Sequence, residues 1–201
     1  MPNINPLNIT DYNRDDDALQ RFWLFGILVA GKNADWASRC LGDLLRPAAV
    51  RGILPFEYLR ERETDLHNML VVNRIGQYAR ITRAIRESLD LDLRTATVEQ
   101  LQVHGVGPKT SRFFVLHSRP GARVAVLDVH ILRWLRSKCC DHGRPIPEHT
   151  PAEPLYSKLE ALALMFMEDT FPGLSPAQAD LLLWSTMSGR VGTPMDVVRG
   201  N

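Results

Sequence analysis

With 201 residues, 45% of them hydrophobic, the chain is large enough for one domain or two small lobes around a buried core. Its 24 Lys and Arg against 23 Asp and Glu leave a formal net charge of +1, so any attraction for nucleic acid has to come from local patches and not from an overall field. Three cysteines, two of them adjacent, with no evident secretion signal, suit a reducing cytoplasm better than a disulfide scaffold, and the longest apolar run, 22–30, is too short to span a membrane.

An acidic, polar lead-in covers 11–17. Apolar spacing then predicts helices near 18–30, 35–45, 56–70, 77–89, 97–103, 108–117, 129–140, 152–168 and 176–188, which makes the chain all-α. Within 77–89, Arg80, Arg83 and Arg86 recur opposite Tyr78, Ile81 and Ile85, a row that suits either a solvated face or a DNA contact. Thr97-Val98-Glu99-Gln100 has the form of a capping box and should start a short helix. The run 124–127 is strand-like but has no obvious partner, and Ile131, Leu132, Leu135 and Cys139 form an apolar stripe after it. Cys139-Cys140-Asp141-His142 lacks a CxxC or a second cluster, and adjacent cysteines are awkward as paired zinc ligands. Prolines at 145, 147, 151 and 154 mark a loop, after which Leu155, Leu159, Leu162 and Phe166 repeat with helical period.

The most informative segment is 101–135. Gly105 and Gly107 permit backbone angles closed to other residues and leave no side chain over their N–H groups. Pro108 suits the first position of a helix. The segment therefore reads as helix, tight hairpin, helix, with free N–H groups and a positive helix end directed outward, an arrangement that binds phosphate. Lys109 falls in the first turn of that helix, its amine a candidate nucleophile near the hairpin mouth. Asp128 stands just before the next apolar stripe and is its natural N-cap. Lys109, Arg112, Arg119 and Arg123 lend the hairpin neighbourhood a positive character.

The GVGxK form at 105–109, followed by Leu127-Asp128-Val129-His130, resembles the signature of the helix-hairpin-helix (HhH-GPD) DNA glycosylases, the superfamily of endonuclease III and the 8-oxoguanine DNA glycosylases. The apolar run 22–30 with Gly31-Lys32-Asn33 resembles the family's early helix and the loop that fills the gap left by an extruded base. Arg74-Ile75-Gly76-Gln77-Tyr78 resembles its IGxY helix start, and Ala177-Gln178-Ala179 with Trp184 through Gly189-Arg190 its last core helix. The resemblance runs over roughly 20–190 and is densest at 101–135.

The resemblance implies two helical lobes flanking a cleft, one of residues 31–127 and one of 1–30 with 128–201, and a monomer acting in the cytoplasm, at the nucleoid when bound to DNA. It implies a bifunctional glycosylase and lyase for damaged double-stranded DNA, with Lys109 as nucleophile and Asp128 assisting. Gly105, Val106, Gly107 and Thr110 would hold the DNA backbone. Lys32, Asn33, Gln178 and Trp184 would contact the base or the gap, with Trp134 a second candidate for stacking. The carbonyls of Leu101, Val103 and Val106 would hold a structural Na+ or K+. The tail 191–201 lacks the cysteines that carry an iron-sulfur cluster in the endonuclease III branch, which, with LDVH and Gln178, points to the 8-oxoguanine branches. Two other readings remain open: a DNA-binding module of the same shape without catalysis, and a glycosylase acting on another base.

Overall fold

A computed structural model describes residues 9–139 and 145–188. Among these the chain is helical throughout, with α1 (Asp16–Val29), α2 (Ala34–Leu44), α3 (Arg46–Arg51), α4 (Pro55–Glu61), α5 (Leu66–Val72), α6 (Tyr78–Ser88), α7 (Pro108–Ser118), α8 (Val129–Lys138), α9 (Leu155–Thr170) and α10 (Pro176–Ser188). Cys140 to His142, Gly189-Arg190 and the tail 191–201 lie outside the described residues. No described helix is long and apolar enough to cross a membrane, and among the described residues no group of His, Cys, Asp or Glu is arranged to hold a metal ion.

The chain divides into two compact units, the first built on Asn13–Phe114 and the second on Val115–Asn201 with Leu7–Tyr12, as far as these are described. The division falls within α7, and α1 goes with the first unit, whereas the expected lobe boundaries lay after residues 30 and 127.

In the first unit α1 is the central helix. Asp15 caps it by accepting from the Ala18 N–H at 2.8 Å, and every residue from Phe22 to Leu28 is buried, so the helix is apolar on all sides and needs neighbours all round. It packs against α2, α4 and α6. Phe113 and Phe114 of α7 meet it through rings 5.4 Å from Phe22 and 5.1 Å from Trp23.

Three expectations need correction in this unit. The helix expected at 56–70 breaks into α4 and α5, because 61–65 is an unbroken polar run with no apolar side chain to bury; the Glu63 carbonyl released there takes a hydrogen bond from Arg86 at 2.9 Å. The capping box at Thr97 forms as expected, Gln100 Oε1 accepting from the Thr97 N–H and Thr97 Oγ1 from that of Gln100. It starts only a single turn, however: the Gln102 amide donates back to the Val98 carbonyl, and the His104 N–H leaves the axis for Glu87. The missed helix α3 carried a signal, a proline at its start and Gly52 closing it at φ 68°.

In the second unit α8 and α10 pack on each other and on α9. The stripe Ile131, Leu132, Leu135 and Cys139 is buried as read. On α9 the inner face is turned from the one expected: Tyr156, Leu159, Ala163 and Met167 are buried, while Leu155 is 44% exposed. Ala163 is small enough for close approach, and the Tyr156 hydroxyl has work inside the unit, described below. Run 124–127 is extended, but no strand pairing exists among the described residues. Leu132→Ala, at a position 0% exposed, should lose about 2–5 kcal/mol in urea unfolding, and Leu155→Ala less than about 0.5 kcal/mol. Equal losses would mean that Leu155 shares the core.

Candidate functional site

The hairpin is closed by the Val106 N–H donating to the Val103 carbonyl at 2.9 Å, with Gly105 at φ 74°. Arg80 sits against that glycine. Its guanidinium donates to the Gly105 carbonyl at 2.8 Å, to the Ile27 carbonyl at 3.1 Å and to Gln77 Oε1 at 2.7 Å, and burial lowers its pKa. A Cβ at position 105 would stand 2.4 Å from Arg80 Cγ, so glycine is demanded twice over, by backbone angle and by space. Gly107 differs from expectation: it keeps an ordinary φ, and a Cβ there would meet nothing within 4 Å.

That open side is where the unused donors lie. Thr110 and Ser111 N–H both go to the Gly107 carbonyl, and Val106 N–H is taken up within the turn. Among the described residues the N–H groups of Gly107 and Lys109 find no acceptor. Lys109 is half-buried in the first turn of α7, which carries no acidic residue. The carbonyls of Leu101 and Val106, residues 0% and 5% exposed, accept no hydrogen bond among the described residues, an orphaned pair that fits a cation.

Lys32 and Asn33 already have partners. Asn33 caps α2 by accepting from the Trp36 N–H at 3.0 Å. Lys32 Nζ donates to the Ile75 carbonyl at 2.6 Å and lies 5.3 Å from the Trp36 ring; burial, then the charge of Arg80, lowers its pKa. The turn it grips is strained, with Arg74 at φ 53°, Gly76 at 72° and Gln77 at 48°. Of the arginine row, Arg83 pairs with Glu87 and Arg86 with Glu63, while Arg123, beyond the hairpin, pairs with Glu168.

In the second unit Asp128 is the N-cap of α8, as read. Its Oδ1 accepts from the N–H groups of both His130 and Ile131 at 2.8 Å, and Oδ2 has no partner among the described residues. The extended run that delivers it is held by side chains: Tyr156 Oη donates to the Ala125 carbonyl and accepts from the Leu127 N–H, both at 2.9 Å. Glu160 Oε1 accepts from the Ala125 N–H at 2.9 Å, and Thr150 donates to the Leu127 carbonyl at 2.8 Å.

Gln178 is the third residue of α10, and its Oε1 accepts from Ser175 N–H and Oγ, so it completes a second capping box with Ser175, one the sequence spells out as Ser-Pro-Ala-Gln. Trp184 is half-buried, its ring edge-on to His130 at 6.4 Å, and Trp134 is buried beside Phe171.

Sequence reasoning missed a buried polar pair. His117, 0% exposed, bonds Thr10 Oγ1 through Nδ1 at 2.8 Å and stands 3.4 Å from Asp180 Oδ2 through Nε2. Burial pushes the Asp180 carboxyl above the usual carboxylate range; His117 pulls the other way, and the Asp128 charge adds to the rise. No local pattern marks such a pair, since its members are far apart in sequence.

Two predictions follow from this geometry. Gly105→Ala should cost about 1–2 kcal/mol for the left-handed backbone alone, with the Arg80 collision on top, whereas Gly107→Ala should stay within about 0.5 kcal/mol of wild type in urea unfolding. Equal stability of the two variants would refute the role given to Arg80. For Asp180, the folded carboxyl holds its proton at a pH where the unfolded one has lost it. Its contribution is thus present below the unfolded pKa of about 4 and is lost as pH rises through the raised folded value. Stability of Asp180→Asn relative to wild type should therefore climb with pH above about 4, and parallel curves would sink the idea.

No protein-family model matches the chain. Its fold is similar to that of an 8-oxoguanine glycosylase/lyase from Methanocaldococcus jannaschii, solved in complex with a 15mer DNA containing 8-oxoguanine, with a TM-score of 0.63 and 19% identity over 90% of this chain and 86% of that one. At this identity the likeness is one of fold, an all-α architecture.

Proposed function

We propose that the chain is a base-excision DNA glycosylase with lyase activity, which flips an oxidised base, 8-oxoguanine in the first instance, out of double-stranded DNA and excises it as a monomer. The observation that carries this is Asp128, a carboxylate fixed through one oxygen by two backbone N–H groups while the other is left open. The similar fold of a glycosylase/lyase solved with 8-oxoguanine DNA supports the reading, as does the sequence form at 105–109 and 127–130.

In this reading the open N–H groups of Gly107 and Lys109 hold a phosphate, and the carbonyls of Leu101, Val103 and Val106 would hold a monovalent cation that supplies further positive charge to that phosphate. Breaking the glycosidic bond develops positive charge on the deoxyribose, which the Asp128 carboxylate stabilises. The Lys109 amine attacks C1′ as the base leaves with the bonding electron pair and takes up the proton the amine gives up; the sugar ring then opens at O4′, which is protonated, to leave a Schiff base, and loss of a C2′ proton with departure of the 3′ phosphate nicks the strand. For base reading, Gln178 offers its amide N–H while Oε1 stays with Ser175, and Trp184 offers a flat surface.

Borohydride should trap the protein on 8-oxoguanine duplex, and Lys109→Gln should abolish trapping with duplex affinity largely retained. Asp128→Asn should slow excision about a hundredfold or more. Trapping by the lysine variant would remove Lys109 as nucleophile. Faster excision of thymine glycol than of 8-oxoguanine would move the substrate but not the mechanism, and tight duplex binding without excision of any lesion would leave a binding module.

A further inference from the structure

The run 124–127 is buried over most of its length, with Ala125 1% and Leu127 0% exposed, and no neighbouring strand takes up its backbone polar groups among the described residues. Such groups cannot be left unpaired inside a protein without a large cost. A single hydroxyl takes two of the four backbone polar groups of Ala125 and Leu127. Tyr156, itself 0% exposed, bridges the Ala125 carbonyl and the Leu127 N–H at 2.9 Å each, donating to one and accepting from the other. One turn further along α9, Glu160 takes the Ala125 N–H at 2.9 Å. The two side chains imitate the edge of a missing strand, and the next residue after that edge is Asp128.

We infer that Tyr156 and Glu160 are positioning residues that fix the Asp128 carboxylate for its part in bond cleavage, an inference that rests on the role proposed for Asp128. The carboxylate is held from two sides. Its Oδ1 is fixed by the α8 amides of His130 and Ile131, and its backbone is fixed by the α9 side chains through Ala125 and Leu127. The Asp128 N–H turns back onto the Val126 carbonyl at 2.7 Å, so no free residue separates the gripped segment from the capping carboxylate. Slack at Leu127 therefore passes directly to Asp128. A phenylalanine at position 156 would fill the core as well as tyrosine does; what it lacks is the bridge.

Tyr156→Phe in the full chain is the test. Its single-turnover excision of 8-oxoguanine should fall about tenfold or more, since small misplacements of a reacting group are costly, while duplex affinity stays within about twofold. Borohydride trapping on a ready-made abasic site, where no glycosidic bond remains to be broken, should also change less than about twofold. In an Asp128→Asn background the same substitution should add less than about twofold, because no carboxylate is left to aim. Leu159→Val loosens the same core while leaving the Tyr156 hydroxyl bridge in place, and should lower the melting temperature while leaving the ratio of excision to abasic-site trapping unchanged. Amide exchange gives a readout independent of activity: in Tyr156→Phe the Leu127, His130 and Ile131 amides should exchange faster relative to the rest of α8. Excision at the wild-type rate, equal slowing in the Asp128→Asn background, or unchanged exchange at His130 and Ile131 would each overturn the inference. If the wild type excises no lesion while exchange changes as expected, the glycosylase reading fails and the grip of Tyr156 on Asp128 stands.

Discussion

On the proposed reading the Asp128 carboxylate ties local structure to chemistry through the division of its two oxygens. One accepts from the His130 and Ile131 N–H groups and so closes the start of α8. That bond pair stabilises the helix by about 1 kcal/mol, as caps do, and in the same act removes the freedom of the side chain to rotate. The second oxygen inherits a fixed direction without a partner of its own among the described residues. A group prepared in that way before any substrate arrives needs little reorganisation when charge develops near it. The buried Asp180 and His117 belong to the same unit, where burial raises the Asp180 pKa, His117 opposes the rise and the Asp128 charge adds the smallest part to it.

A second theme recurs in both units: backbone at turns and helix ends is held by long side chains, most of them reaching from helices. Arg80 from α6 takes the carbonyls of Gly105 and Ile27, Lys32 takes that of Ile75, and Arg86 takes that of Glu63 where α4 gives way to α5. Tyr156 and Glu160 of α9 do the same for 124–127. Each bond contributes modestly, and the buried pair made by Tyr156 also keeps polar groups from being stranded, which costs about 1–3 kcal/mol per group. Helices supply rigid supports for these side chains, and the turns that carry glycines and positive φ can then keep shapes they would not hold alone.

What was legible in the sequence follows from this. Caps, glycine turns and apolar stripes are local, so α1, α2, α6, α7, α8 and α10 appear close to where spacing puts them, with Asp128 as N-cap. The capping box at Thr97 was legible too, yet it opens only one turn, because Glu87 draws the His104 N–H away from the axis, and that competitor lies 17 residues off. The inner face of α9 was misread for a related reason. Leucine periodicity marks Leu155, but the position of Tyr156 is decided by backbone groups about 30 residues earlier in the chain, where Ala125 and Leu127 wait for partners. Gln178 carries a second local signal that went unread, the capping box with Ser175, which engages its Oε1 and leaves the amide N–H for the role proposed.

The charge pattern limits how a duplex could be held. With a net charge of +1 there is no broad positive field, and Arg83, Arg86 and Arg123 are engaged with Glu87, Glu63 and Glu168, while the Arg80 guanidinium is turned inward to backbone carbonyls. Exposed ion pairs of this kind add little to stability, but they do neutralise the cations they contain. Phosphate recognition on the proposed reading then falls to oriented N–H groups of the hairpin and the start of α7, which carry partial charge and release few counterions. Binding of that sort depends weakly on salt and strongly on backbone shape. The shape of the hairpin rests in turn on the Val106 N–H closing it onto Val103, on Glu87 holding the His104 N–H, and on the Arg80 guanidinium set against the carbonyl of a glycine with a left-handed backbone.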